Sequence, residues 1–126
     1  MKASKTVVAA TLAGSLMLLA TAALHASGYS WIAESIQESD LSDFLKSILP
    51  SLFLYPSILM IVLAVAATLA LRWPAVATGV WGVVCVIVAL NSLLGFILGG
   101  PVPGLVLLVA AGLFGFAAYR QAMKRV

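Results

Sequence analysis

Four long stretches of this chain contain no Asp, Glu, Lys or Arg: TVVAATLAGSLMLLATAAL (6–24), LFLYPSILMIVLAVAATLAL (52–71), AVATGVWGVVCVIVALNSLLGFIL (75–98) and VPGLVLLVAAGLFGFAAY (102–119). An apolar run needs about 20 residues to cross roughly 30 Å of hydrocarbon at 1.5 Å per residue, and all four reach or approach that length. Lipid offers no partner to a free N–H or C=O, and the runs lack the alternation of barrel strands, so each is expected to be a helix. Of the 126 residues, 63% are hydrophobic and 9% charged, too little polar surface to coat a water-soluble core. The expected fold is an all-α integral membrane domain, a single four-helix transmembrane bundle over residues 1–126.

The connections set the order of the spans. Arg72-Trp73-Pro74 is a tight turn whose proline suits the start of a helix, and GGPVPG (99–104) breaks the chain again. Both are so short that spans two, three and four are expected to run antiparallel as neighbours. Lys2, Lys5, Arg72, Arg120, Lys124 and Arg125 all fall on one side of a four-pass chain, leaving only Lys46 on the other. An excess of Lys and Arg marks the cytoplasmic face, which places both termini inside, in what is expected to be a bacterial cytoplasmic (inner) membrane. Trp73 and Tyr119 fit interface anchors at that face. Lys2, Lys5, the apolar core after them and Ala20-Thr21-Ala22 also have the form of a signal peptide; retention as a span and cleavage after residue 22 both remain open.

All four acids, Glu34, Glu38, Asp40 and Asp43, lie in the 25–51 connection, the one sizeable extracytoplasmic loop. There Leu41, Phe44, Leu45, Ile48 and Leu49 follow i, i+3, i+4, i+7, i+8 spacing. Ile32 and Ile36 share a different face, so a break is expected near Ser39-Asp40, with Asp40 as N-cap of a short amphipathic helix. That helix would lie apolar face down as an outer lid (Leu41, Phe44, Leu45, Ile48) until Pro50 redirects the chain. It serves either as a docking surface or as a plain cover for the bundle.

Within the spans, Asn91 lies about 10 Å from the outer end of its helix at 1.5 Å per residue. Ser92 adjoins it, Ser57 falls at a comparable depth and Thr21 somewhat shallower, so these four form a candidate interhelical polar cluster. A membrane asparagine rarely faces lipid because its amide needs partners. Pro56 has no N–H for the carbonyl of Leu52 and is expected to kink span two. Small residues four apart, Ala10/Gly14 with Thr11/Ser15 and Ala111/Gly115, permit close helix contact within the chain or between chains.

Chemistry is sparsely equipped. The single cysteine, Cys85, and single histidine, His25, preclude an internal disulfide, a CxxC pair and a multi-histidine metal site. There is no Ser/His/Asp set, no pair of intramembrane carboxylates and no Gly-rich phosphate loop. No enzymatic activity, cofactor or metal is therefore expected, and the cytoplasmic segments are too short for nucleic-acid binding. Absence of any ionisable group inside the spans argues against proton-coupled transport. What remains is a non-catalytic accessory, assembly or interaction component of a membrane complex, with the lipid bilayer and a larger membrane protein or further copies as partners. The alternative is a small oligomeric channel or transporter with Asn91 in its lining. If the small-residue faces join chains, Gly14→Leu or Gly115→Leu should disrupt association in membranes; unchanged cross-linking of both variants would remove those faces from the interface.

Overall fold

The computed structural model describes residues 3–124; Lys2 and Arg125 lie outside the described residues. Every regular element among them is helical, and four helices are long and apolar enough to cross a membrane. They are α1 (Lys5–Ser27), α3 (Asp43–Leu69), α4 (Pro74–Leu94) and α5 (Pro101–Ala122), with a short α2 (Tyr29–Gln37) between the first two. Runs 6–24 and 102–119 lie inside α1 and α5, whereas 52–71 runs past α3 into a 3-10 turn (Ala70–Arg72) and 75–98 past α4 into a π-type turn (Gly95–Gly99). Start signals are local. Ser4 caps α1 by accepting from Val7 N–H at 3.3 Å, and proline opens both α4 and α5.

The helices pack in the spatial order α3, α1, α5, α4, with α1 and α5 in the middle. Each sharing pair is antiparallel, so Lys5, Arg72, Arg120 and Lys124 gather at one end of the bundle, here the basic end. This differs from the simple expectation of spans two, three and four as neighbours. The Arg72 turn makes α3 and α4 antiparallel, but it does not hold them together along their length. Close contact is decided by side-chain size, and the small residues lie on α1 and α5. A Cβ on Gly14 would sit 2.9 Å from Phe114 Cζ, so the Phe114 ring rests directly on the α1 backbone. Ala10, Gly14, Ala111 and Phe114 are all buried. Gly115 faces α4, where a Cβ would lie 3.1 Å from Cys85 Sγ. All four candidate packing residues are therefore used inside the chain.

Polar pairs fix the register. Ser15 Oγ donates to Ala64 O at 3.2 Å across α1 and α3, and Thr68 Oγ1 approaches Ser15 Oγ at 3.1 Å. Trp81, fully buried on α4, donates Nε1–H to Ala67 O at 2.9 Å and pins α4 to α3 near the basic end. At the other end of α4, Ser92 Oγ donates to Gly104 O at 2.7 Å. There a Cβ on Gly104 would fall 2.5 Å from Phe96 Cγ, so no larger residue fits that crossing.

The connection between α1 and α3 departs from the expected lid. Residues 41–49 are not a separate helix: the chain reverses over Glu38–Ser42, Ser42 is the N-cap, and Asp43–Leu69 is one continuous helix. Five residues are what a helical hairpin uses to turn, which leaves Asp40 and Leu41 in the turn itself. Pro50 lies inside α3 instead of redirecting it. A proline deprives the carbonyl four residues earlier, here that of Lys46, of its helical partner. Gln37 Nε2 donates to this Lys46 O at 3.2 Å, and Lys46 Nζ donates back to Gln37 O at 2.9 Å. This reciprocal clasp satisfies the carbonyl orphaned by Pro50 and one at the end of α2 together.

Gly14→Leu is expected to destabilise the bundle by about 1–3 kcal/mol, the usual range for overpacking. Thermal unfolding in detergent checks this, and adding Phe114→Leu, which removes the facing ring, should recover part of the loss.

Candidate functional site

Two features remain once the packing is accounted for. The first follows from the helix order. α3 and α4 are tied by the Trp81 bond to Ala67 O near the basic end, and toward the acidic end residues of both, with others from α1 and α5, surround a gap. The result is a cavity of about 660 Å³ lined by all four long helices. Met17, Ala20, Thr21, Leu24 and His25 come from α1, and Phe53, Pro56 and Met60 from α3. Asn91, Leu94, Gly95, Leu98 and Gly99 come from α4 and its continuation, and Val102, Pro103, Val106 and Leu107 from α5. No Asp, Glu, Lys or Arg lines it. Met17, Met60 and Leu107 lie nearest the basic end, beyond which Trp81 and Phe114 fill the core.

Gly95–Gly99 continue α4 as a wider π-type turn, and Gly100, at φ 89°, then lets the chain reverse into α5. Interruptions of this kind recur beside functional sites, because the wider turn re-aims the side chains that follow it. Here it forms the rim of the cavity.

The four residues of the expected polar cluster do not share one place. Asn91 and Thr21 both line the cavity, yet each is tied to its own helix: Asn91 Nδ2 donates to Ile87 O at 2.9 Å, and Thr21 Oγ1 to Met17 O at 2.8 Å. Ser92 makes the interhelical bond, turned away from the cavity toward Gly104 on α5. Ser57 is 3% exposed and its hydroxyl has no partner. Asn91 Oδ1 accepts no hydrogen bond from the described residues, so the amide presents an unused acceptor in an otherwise apolar cleft.

His25 joins the cavity by a route that the sequence did not suggest. Its ring stacks on Phe53 with centroids 4.3 Å apart, and its Nε2 lies 2.9 Å from Phe53 O. A carbonyl can only accept, so Nε2 carries the hydrogen. Phe53 adjoins Leu52, whose carbonyl loses its helical partner to Pro56, so His25 adds its donor beside that interruption of the ladder. A histidine near one helix end and an aromatic residue three before a proline are the only sequence traces of this contact. Gly104 was similarly hidden, since GGPVPG reads first as a chain breaker.

The second feature is the tip of the α1–α2/α3 hairpin. Lys5–Gln37 and Asp43–Arg72 span 33 and 30 residues, against 26 for Pro74–Gly99 and 22 for Pro101–Ala122. At 1.5 Å per residue the first pair is longer than the second by about 10 Å. The excess lies at the acidic end, where α2 packs along the start of α3 under the Gln37–Lys46 clasp. This tip carries Glu34, Glu38, Asp40 and Asp43, and no ion pair involves them among the described residues. Trp31 and Phe44 are each 69% exposed on it. Leu41 and Leu45 are also exposed, whereas Ile48 is half-buried. Of the expected lid residues, then, Phe44 is the most open and Ile48 the most engaged. Among the described residues no three of His, Cys, Asp and Glu gather closely enough to hold a metal ion.

Comparisons of the chain with protein-family models, with curated proteins and with solved structures find no match.

His25→Phe, which keeps a ring against Phe53 but loses the donor, should lower stability by about 1 kcal/mol, the net worth of one hydrogen bond. His25→Ala, which loses the ring as well, should lower it further; equal unfolding temperatures for the two variants and the parent protein would contradict the contact.

Proposed function

We propose that this protein is a non-catalytic interaction component of a membrane complex, docking through the tip of its α1–α2/α3 hairpin. The carrying observation is that Trp31 and Phe44 stand exposed beside four unpaired carboxylates, on a hairpin held by the Gln37–Lys46 clasp. Exposed aromatic side chains on a pre-ordered element are the kind of anchor that dominates binding energy at interfaces. The acids and Lys46 give the tip a net charge of −3, so its complement is a membrane protein whose extramembrane segment presents Lys or Arg around an apolar pocket.

The small-residue faces do not compete for this role, because Gly14 lies against Phe114 and Gly115 against Cys85. In the bilayer we place both termini on the cytoplasmic side of a bacterial inner membrane, from the Lys and Arg distribution, and the tip outside. Retention of residues 1–22 is favoured by packing: α1 is the helix that both α3 and α5 rest on. A channel built from several copies is less well supported. Asn91 lies on a cavity of the chain's own bundle, and Trp81 and Phe114 fill the core beyond it.

Docking at the tip predicts that Trp31→Ala combined with Phe44→Ala abolishes cross-linking to a partner membrane protein in native membranes while the thermal midpoint of the purified protein is unchanged. Glu34→Gln with Asp43→Asn should weaken capture and flatten its dependence on salt. Undiminished capture by both double variants would place the interface elsewhere.

A further inference from the structure

We infer that the cleft between α3 and α4 is a binding site for an uncharged, hydroxyl-bearing lipid, separate from the hairpin tip. Its size is the first argument: about 660 Å³ lies within the roughly 300–1,000 Å³ of small-molecule sites. Its chemistry is the second. With no Asp, Glu, Lys or Arg in the lining, a charged group drawn inside would lose its hydration and meet no permanent counter-charge.

The third argument fixes the ligand's polar group. Each of the three polar side chains that line the cleft and make protein hydrogen bonds commits a donor to backbone: Asn91 Nδ2 to Ile87 O, Thr21 Oγ1 to Met17 O, His25 Nε2 to Phe53 O. Apart from the second Nδ2 hydrogen of Asn91, what these side chains have left are acceptors, namely Asn91 Oδ1, the lone pairs of the Thr21 hydroxyl and Nδ1 of a neutral His25. A ligand that satisfies them brings a donor. A neutral hydroxyl on an apolar body does so; a carboxylate, which only accepts, does not.

Access is lateral. Leu94 and Leu98, which line the cleft from α4 and its continuation, are 53% and 82% exposed, so the mouth is bordered there by side chains that face the lipid phase. A hydrocarbon chain enters without leaving an apolar medium. The hydroxyl then lies at the level of Asn91 and Thr21, toward the acidic end of the bundle.

The test uses the full-length protein in phosphatidylcholine nanodiscs and a monoacylglycerol with a photoactivatable diazirine in its acyl chain. Saturable labelling of the α1 and α4 peptides that line the cleft is expected. Unlabelled monoacylglycerol should displace the probe at least about tenfold better than a fatty acid of equal chain length, whose charge finds no partner in the cleft. Asn91→Leu should weaken apparent affinity about fivefold through loss of one hydrogen bond, with stability retained. Ala20→Phe, which places a ring on the cavity wall, should abolish labelling. Labelling that fails to saturate, equal displacement by the fatty acid, exclusion of the probe by a second copy across the cleft, or full affinity in Asn91→Leu would each overturn the assignment. If Ala20→Phe does not fold, the displacement ratio and Asn91→Leu decide the matter.

Discussion

The bundle is arranged around α1, and α1 holds that place because Gly14 lets the ring of Phe114 rest on its backbone. Lipid gives helices no hydrophobic reason to associate, so packing density and a few hydrogen bonds must do it. On one side α1 presents small residues to α5; on the other it presents Ser15 to Ala64 O and to Thr68 on α3. The two outer helices, α3 and α4, are therefore held mainly through the middle pair. Their own direct tie is the Trp81 bond to Ala67 O near the basic end.

The cleft is a consequence of that arrangement. A row of four helices fastened at one end separates at the other unless side chains bridge it. Here His25 and Phe53 close part of the gap on the α1–α3 side, and the Gly95–Gly99 turn widens α4 where it meets the mouth. The hairpin tip has a different origin. α1 with α2, and α3, outrun the other two helices. Pro50 then leaves a carbonyl that Gln37 answers from across the hairpin. A residue that ordinarily ends a helix thus becomes part of the clasp that orders the tip.

Much of the helical content was legible in the sequence, because composition alone forces it: runs without charge, of membrane length, separated by Arg-Trp-Pro and by a Gly-Pro segment. Helix order was not legible. Short connections dictate antiparallel direction but leave side-by-side placement to contacts such as Gly14 on Phe114, which no periodicity announces. The lid pattern at Leu41–Leu49 was a real helical period, yet period does not reveal whether a helix is separate or is the first turns of the next one. Pro50 looked like a boundary because its lost hydrogen bond was visible and the compensating Gln37 side chain, nine residues before Lys46, was not. Counting residues along helices placed Asn91 in the outer half of the bundle with Thr21 somewhat shallower, and both line the cleft. Ser57 and Ser92 share that depth but face other neighbours, since depth says nothing of azimuth.

The most direct test of this arrangement is the α3–α4 distance at two levels, read by pulsed electron resonance between spin labels in a Cys85→Ala background. One pair, Ile58→Cys with Leu90→Cys, lies at the level of the cleft on the outer faces of the two helices; the other, Val65→Cys with Val83→Cys, lies seven residues along each helix toward the Trp81 tie, and all four positions are exposed. The account predicts a clearly longer distance at the first pair than at the second. Equal distances, with both near the roughly 8–10 Å axial spacing of packed helices once label length is allowed for, would mean that α3 and α4 close along their whole length and that the cleft does not exist.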